Sequence, residues 1–224
     1  MTISLTLVCA HPADATWGHA LPRDCDIDGA STVLTTLGPD TSAVRSPTSR
    51  CARIAAALAL RAAAEPALRD LDYGAWRGRT AADIVAADPY GYSAWLTDPD
   101  AAPHGGESIR RLCHRTALWL TGLPPDTGHA LAVVEPAVWR ALLVHALAAP
   151  ARAFWQLRIS PLHDVCLTRR GDVWSIRPAT IFPAPSSGRH TTLLGTGPTR
   201  PRRTAGRHAA RLCRHACPPL VGHS

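Results

Sequence analysis

An unbroken apolar run over residues 130–134, Ala-Leu-Ala-Val-Val, is followed at once by Glu135 and a proline. A run without polar alternation is typical of a parallel strand that is buried on both faces. Such a strand needs helices on both sides of its sheet, and residues 137–147 behind it have the composition of one. The run therefore favours an α/β fold. Its last residue is followed by a carboxylate, a group that is seldom buried without a partner.

A second apolar strand is predicted near the amino terminus, over residues 3–9. It ends in Cys9 and Ala10, followed by His11 and a proline. In an open α/β sheet, ligands bind beyond the carboxyl ends of the strands. We therefore expect the ends of these two strands to contribute to one site.

The remaining predicted elements alternate between strands and helices. They are strands at 42–47, 165–168 and 172–176, an extended piece after residues 64–68, and helices at 30–37, 49–60, 80–87, 90–96 and 109–122. Ser46 or Ser49 is the expected N-cap of the helix at 49–60. The alternation predicts a three-layer α/β/α fold with a mostly parallel sheet.

Charge divides the chain into two parts. Residues 1–183 contain 17 arginines and 17 acidic residues, whereas residues 184–224 contain seven arginines and no acid. We predict one α/β domain over 1–183 and a flexible basic tail, rich in Arg, Pro and Gly, over 184–224. A tail that binds an acidic surface stays an alternative, and we do not expect nucleic acid as a partner.

The composition indicates a cytoplasmic protein. There is no export signal and no apolar run of membrane-spanning length, so we read the seven cysteines as reduced thiols. All 24 basic residues are arginine, a bias typical of GC-rich genomes such as those of actinobacteria. The histidines and cysteines of the tail lack the paired spacing of a zinc finger, and we predict no metal and no cofactor.

Five segments occur in an order that is characteristic of one protein family. They are residues 5–12, Ser-Pro-Thr-Ser-Arg at 46–50, Leu-Arg-Asp-Leu-Asp-Tyr-Gly-Ala-Trp-Arg-Gly at 68–78, Gly-Gly-Glu-Ser at 105–108, and Ala-Val-Val-Glu-Pro-Ala-Val-Trp-Arg-Ala-Leu at 132–142. Through them the chain resembles the histidine phosphatase superfamily, with its phosphoglycerate mutase-like fold, over about residues 3–178. The resemblance implies that fold for this chain.

The resemblance also implies a chemistry. In that family a histidine at the end of the first strand carries a phosphoryl group covalently, arginines and a second histidine hold the phosphate oxygens, and a carboxylate protonates the leaving group. In this sequence Cys9 takes the place of an arginine, Ala10 that of the nucleophile and Glu135 that of the second histidine. A methyl group cannot accept a phosphoryl group, and a carboxylate in the pocket repels a phosphate dianion.

The candidate site residues fall into two groups. We predict acid–base roles for Glu135, Asp70 and His11. We predict substrate-binding roles for the following residues: Arg50, Cys9, Ala10, Glu107, Arg140 and His163. For Glu135 the site role is either a pair with Arg50 or a base with a raised pKa, and the alternative is a salt bridge that only holds the loop. For Asp70 the alternative is a cap on the turn before Gly74.

Three functions follow from this sequence. Our leading prediction is an enzyme that has lost phosphohistidine chemistry and performs acid–base catalysis on a small polar or anionic metabolite, in specialised biosynthesis for example. Hydrolysis, dehydration, isomerisation and cyclisation all fit. The first alternative is a true phosphomonoesterase or mutase in which His11 is shifted into the nucleophile's place. The second is an inactive relative with a binding or regulatory role. Homodimerisation is left open.

Overall fold

The computed structural model of the chain describes residues 2–10, 41–157 and 164–179. The predicted helix at 30–37 and the candidate residues His11 and His163 lie outside these ranges. The chain divides into two compact units, Met1–Ser186 and Ser187–Ser224. The second unit also lies outside the described residues, so the flexible basic tail over 184–224 stays a prediction.

The described residues form six strands, five α-helices and three short 3₁₀-helices. The strands are β1 (Thr2–Cys9), β2 (Ser42–Arg45), β3 (Ala63–Ala64), β4 (His129–Val134), β5 (Asp164–Arg170) and β6 (Val173–Ala179). The helices are α1 (Ser49–Ala57), α2 (Ala81–Ala87), α3 (Pro89–Thr97), α4 (Ile109–Thr121) and α5 (Pro136–Ala146), with 3₁₀-helices at Pro66–Leu68, Gly74–Trp76 and Ala151–Gln156. Among the described residues, no helix is both long and apolar enough to cross a membrane.

The strands form one sheet in the order β3-β2-β4-β1-β5-β6. The first four strands of this order run parallel to one another, whereas β5 is antiparallel to β1 and β6 is antiparallel to β5. The predicted α/β class with a mostly parallel sheet is confirmed. The register of β1 and β4 ends at the pair Cys9 and Val134. Ala10 and Glu135 therefore follow side by side at the carboxyl edge of the sheet.

Helices cover both faces of the sheet. Leu5 and Leu7 of β1 belong to the larger apolar cluster, which includes the buried residues of α4 and α5. Val8 and Ala10 point to the other face and belong to a smaller cluster with the buried residues of α1. This alternation along β1 gives the three-layer arrangement that the sequence predicts.

The N-cap prediction for α1 is wrong. Thr48 is the N-cap, and its Oγ1 accepts a hydrogen bond from the Cys51 amide at 3.2 Å. Ser49 is the first helical residue. The Ser46 hydroxyl instead donates to the Leu68 carbonyl oxygen at 2.5 Å, a contact across 22 residues that no local pattern signals.

Two other element boundaries differ from the sequence prediction. The extended piece is expected after residues 64–68, but the two-residue strand β3 lies at the start of that stretch and the Pro66–Leu68 helix follows it. Pro89, predicted to separate two helices, is the first residue of α3, where its missing N–H costs no hydrogen bond. The side chain of Asp88 caps this helix by accepting from the Gly91 amide at 2.8 Å.

Candidate active site

A cavity of about 380 Å³ opens at the carboxyl edge of the sheet, beyond the ends of β2 and β4. Its lining comes from the β2–α1 turn and the first residues of α1, from residues on both sides of the Gly74–Trp76 helix, and from the residue after β4. The lining residues are Pro47, Thr48, Ser49, Arg50, Arg69, Asp70, Leu71, Asp72, Tyr73, Arg77 and Glu135. Three predicted site residues, Arg50, Asp70 and Glu135, therefore meet in one cavity.

Glu135 is buried at the inner end of this cavity. It occupies the N-cap position of α5, directly after β4 and before Pro136. Its Oε2 pairs with Arg50 Nη1 at 2.7 Å, and its Oε1 accepts a hydrogen bond from the Thr48 hydroxyl at 2.6 Å. The pair with Arg50 that the sequence predicts is present in the structure.

The β2–α1 turn supplies these partners because it brings the first turn of α1 to the end of β4. Thr48 accepts from the Cys51 amide and donates its hydroxyl proton to Glu135, so one side chain both caps the helix and binds the carboxylate. The Cys51 thiol also donates to Glu135, at 3.6 Å. These bonds offset part of the desolvation cost of the buried ion pair. Burial and the Glu135 charge raise the pKa of Cys51 well above its usual range, so it remains a thiol.

Asp70 lies on the loop opposite this pair and is partly buried. Burial first, and the negative charge of Glu135 second, raise the pKa of Asp70 to about 7. The Leu71 amide, which donates to Asp70 Oδ1 at 2.8 Å, opposes this increase, as do Arg50 and Arg77. A carboxyl group with this pKa can both give and take a proton near neutral pH.

Asp70 does not cap the turn before Gly74, which was the alternative role for it. Asp72 does so, because its Oδ1 accepts from the Gly74 amide at 3.1 Å. Gly74 has φ +46°, and a Cβ there would collide with the carbonyl oxygen of His104. Asp70 is therefore left to face the cavity.

Sequence analysis missed six polar residues of the cavity, which are Thr48, Ser49, Arg69, Asp72, Tyr73 and Arg77. Tyr73 is buried, and burial together with the charges of Asp70 and Glu135 raises its pKa well above the usual value, so it is a neutral phenol. Arg69 and Arg77 have exposed side chains. All six lie within the 46–50 and 68–78 segments, and this position is the signal that could have found them.

Glu107, predicted to bind substrate, is outside the cavity lining. It is buried and bonds to Arg115 through both oxygens, at 3.0 Å from Nε and 2.7 Å from Nη2. Arg115 also donates to the carbonyl oxygens of Ala67 and Arg69. Glu107 thus orients an arginine that fixes the loop carrying Asp70.

Arg140 is also outside the cavity lining. Its Nε donates to the Leu157 carbonyl oxygen at 2.9 Å, and its guanidinium carbon lies 5.8 Å from the ring centroids of Phe154 and Trp155. These contacts bind α5 to the Ala151–Gln156 helix. The substrate-binding role predicted for Arg140 stays a prediction.

The end of β1 presents small and apolar groups. Ala10 is fully buried in the apolar cluster beside α1, and its amide donates to the Val134 carbonyl oxygen at 2.8 Å. Cys9 is partly buried against the larger cluster. The predicted site residues His11 and His163 lie outside the described residues. Within the described ranges, no three His, Cys, Asp or Glu side chains are grouped so that they could hold a metal ion.

Residues 29–180 match the histidine phosphatase superfamily (branch 1). Because this match covers more than half of the chain and the fold agrees, the chain belongs to that superfamily. The predicted family is confirmed, and the matched residues include four of the five sequence segments, all except residues 5–12.

Two relatives are similar to parts of this chain. The adenosylcobalamin/alpha-ribazole phosphatase of Salmonella typhimurium is 29% identical over 97 residues, which are 42% of this chain and 48% of that protein. The chain thus spans about half the length of this curated relative. The bifunctional protein Rv2228c of Mycobacterium tuberculosis is 39% identical over 61 residues, 27% of this chain and 17% of that protein.

Solved structures share the fold. The alpha-ribazole phosphatase from Shigella flexneri superposes with a TM-score of 0.66 and 22% identity, over 78% of this chain and 95% of that one. The mycobacterial glucosyl-3-phosphoglycerate phosphatase Rv2419c gives a TM-score of 0.64 and 18% identity, over 80% of this chain and 98% of that one. At these identities the likeness establishes the fold alone.

Proposed function

We propose that this chain is an enzyme of the histidine phosphatase superfamily that performs acid–base catalysis without a phosphohistidine intermediate. Its substrate is a small polar or anionic metabolite. The reaction is a hydrolysis, dehydration, isomerisation or cyclisation, each of which needs a proton donor and acceptor in one pocket. A cytoplasmic location is part of this proposal.

The observation that carries the proposal is the buried pair of Glu135 and Arg50 beside Asp70. Glu135 follows β4, where the family resemblance expects the second histidine, and it engages Arg50 at 2.7 Å. A phosphate dianion placed against Arg50 would meet the Glu135 carboxylate at close range in a partly dry site. Such like-charge contact costs several kcal/mol. The inner end of the cavity is therefore poorly suited to phosphate.

The same arrangement suits proton transfer. Burial, and after it the charge of Glu135, raises the pKa of Asp70 to about 7, which suits a group that is partly protonated at neutral pH. Asp70 is the proposed general acid and base, and Arg50 is the proposed donor that holds a substrate oxygen. His11 is proposed as a further proton-transfer group at the end of β1.

Phosphomonoester hydrolysis is the second candidate function. It is favoured by relatives that are named as phosphatases, such as the adenosylcobalamin/alpha-ribazole phosphatase of Salmonella typhimurium. It is also favoured by the presence of Arg50 and Asp70 at positions where the family resemblance expects a phosphate ligand and a proton donor. In that case His11 would act as the nucleophile, and its replacement by alanine would abolish turnover.

A comparison of two variants separates these functions. The purified full-length protein is incubated with a small-molecule extract of its source organism, and consumed and formed compounds are followed by mass spectrometry together with phosphate release. We expect the wild-type protein to convert a compound without release of phosphate, and Asp70→Asn to leave that compound unchanged. The control Arg111→Gln, at an exposed position of α4 outside the cavity, should behave like the wild type. Phosphate release that disappears in His11→Ala would contradict the proposal and support the phosphatase.

A further inference from the structure

The cavity has a buried end and an exposed end, and both contain arginine. At the buried end the side chains of Arg50 and Glu135 are 9% and 2% exposed. At the exposed end those of Arg69 and Arg77 are 53% and 66% exposed. The two ends therefore differ in how much their charges are screened by solvent.

The buried end offers no surplus positive charge. Arg50 is engaged by Glu135 at 2.7 Å, and the third ionisable group there, Asp70, can only add negative charge. An uncharged polar group of a substrate suits this end better than an anion does, because it can exchange hydrogen bonds with Arg50 and Asp70 without like-charge repulsion.

The exposed end has arginines that are weakly held. Arg69 Nη2 lies 3.4 Å from Glu107, whose carboxylate already receives two shorter bonds from Arg115. Arg69 can therefore leave this contact while Glu107 keeps a partner. Arg77 pairs with Asp72 at 3.2 Å, and both of these side chains are more than half exposed. Exposed pairs of this kind contribute little free energy, so an incoming anion can displace them.

We propose that Arg69 and Arg77 form an oxyanion-binding subsite at the mouth of the cavity. A carboxylate or phosphate group of the substrate binds there, and a different, uncharged polar group of the same molecule reaches Asp70. The anion thus positions the substrate and is not the group that reacts. This inference rests on the proposed acid–base function and specifies its substrate class. Two guanidinium groups suit a carboxylate or phosphate because each guanidinium can donate a pair of parallel hydrogen bonds to its oxygens.

Titration of the full-length protein with inorganic phosphate, followed by calorimetry, tests the subsite. We expect the double variant Arg69→Gln/Arg77→Gln to bind phosphate about tenfold or more weakly, since each lost charged hydrogen bond corresponds to roughly that factor. The control Arg111→Gln should bind like the wild type. A parallel titration with acetate shows whether the subsite favours phosphate or carboxylate. Because both arginines are exposed, circular dichroism should show an unchanged fold.

Two results would overturn the inference. One is the absence of phosphate and acetate binding to the wild-type protein. The other is binding that the double variant leaves intact and that Asp70→Asn strengthens, since this would place the anion at the buried end. A phosphohistidine found at His11 would instead refute the proposed function. This adduct is measured separately from anion binding to the double variant. The two failures are therefore distinguishable.

Discussion

Replacement of Asp70 by asparagine is expected to stabilise the folded protein at about pH 8 and to leave its stability at about pH 4 almost unchanged. Asparagine keeps the oxygen that accepts from the Leu71 amide at 2.8 Å and removes only the ionisation. The variant therefore isolates the cost of holding a charged carboxylate in the cavity, beside Glu135.

The sign of this effect follows from the raised pKa. In the folded protein the pKa of Asp70 increases from its ordinary 3.8 to about 7. Between about pH 4 and pH 7 the folded state therefore holds a proton that the unfolded state has lost, and the free energy of unfolding decreases as the pH rises. A shift of roughly three units, at about 1.36 kcal/mol each, corresponds to about 4 kcal/mol, which partial exposure reduces to roughly 2–4 kcal/mol.

Urea unfolding at several pH values between about 4 and 8, for the wild type and for Asp70→Asn, measures this difference. The asparagine variant should gain stability relative to the wild type as the pH rises. Titrating groups that do not interact with Asp70 cancel in this comparison. Asp72→Asn is a matched control with the opposite sign. The Gly74 amide and Arg77 lower the pKa of Asp72, so its replacement should cost stability once the pH exceeds about 4. A wild-type minus Asp70→Asn difference that does not change with pH would refute the reasoning.

Three further outcomes are expected. Glu135→Leu should lower the free energy of unfolding by about 3–5 kcal/mol, because it leaves the Arg50 charge buried without its carboxylate. Arg50→Met/Glu135→Leu should recover most of this loss in the same urea experiment, and equal stabilities of the two variants would contradict a coupled pair. Gly106→Ala should cost about 1–3 kcal/mol in thermal unfolding, since its Cβ would collide with the Asp72 carbonyl oxygen, and an unchanged melting temperature would count against this packing. Burial lowers the pKa of His104, whose Nδ1 accepts from the Gly106 amide at 3.0 Å, so the contribution of this histidine to stability, opposite in sign to that of Asp70, should decrease as the pH falls below about 6.5. An NMR titration that places the pKa of His104 at or above about 6.5 would contradict this.

The sheet could be predicted from the sequence because its strands carry local signals. The apolar run at 130–134 forms the buried strand β4, and the stretch at 3–9 forms β1 beside it. These two predictions place Glu135 at the edge of the sheet. The pair with Arg50 then follows from the need of a buried carboxylate for a positive partner.

The contacts that surround the cavity could not be predicted in the same way. Ser46, a predicted cap of α1, instead donates to the Leu68 carbonyl oxygen, which is distant in sequence. Likewise, Glu107 lies in a recognisable motif, yet its bonds to Arg115 are decided by how α4 packs on the preceding loop. Contacts between remote segments decide these roles, and a single sequence carries little information about them.

Mass spectrometry of the intact protein tests whether a phosphohistidine intermediate forms. The protein is mixed with a reactive phosphomonoester and quenched within one turnover time under alkaline conditions. Phosphohistidine survives such a quench, so a covalent intermediate would add the mass of one phosphoryl group. With Glu135 and Arg50 paired at the inner end of the cavity, we expect the mass to remain unchanged. A stoichiometric phosphoryl adduct that maps to His11 and is absent in His11→Ala would contradict the account.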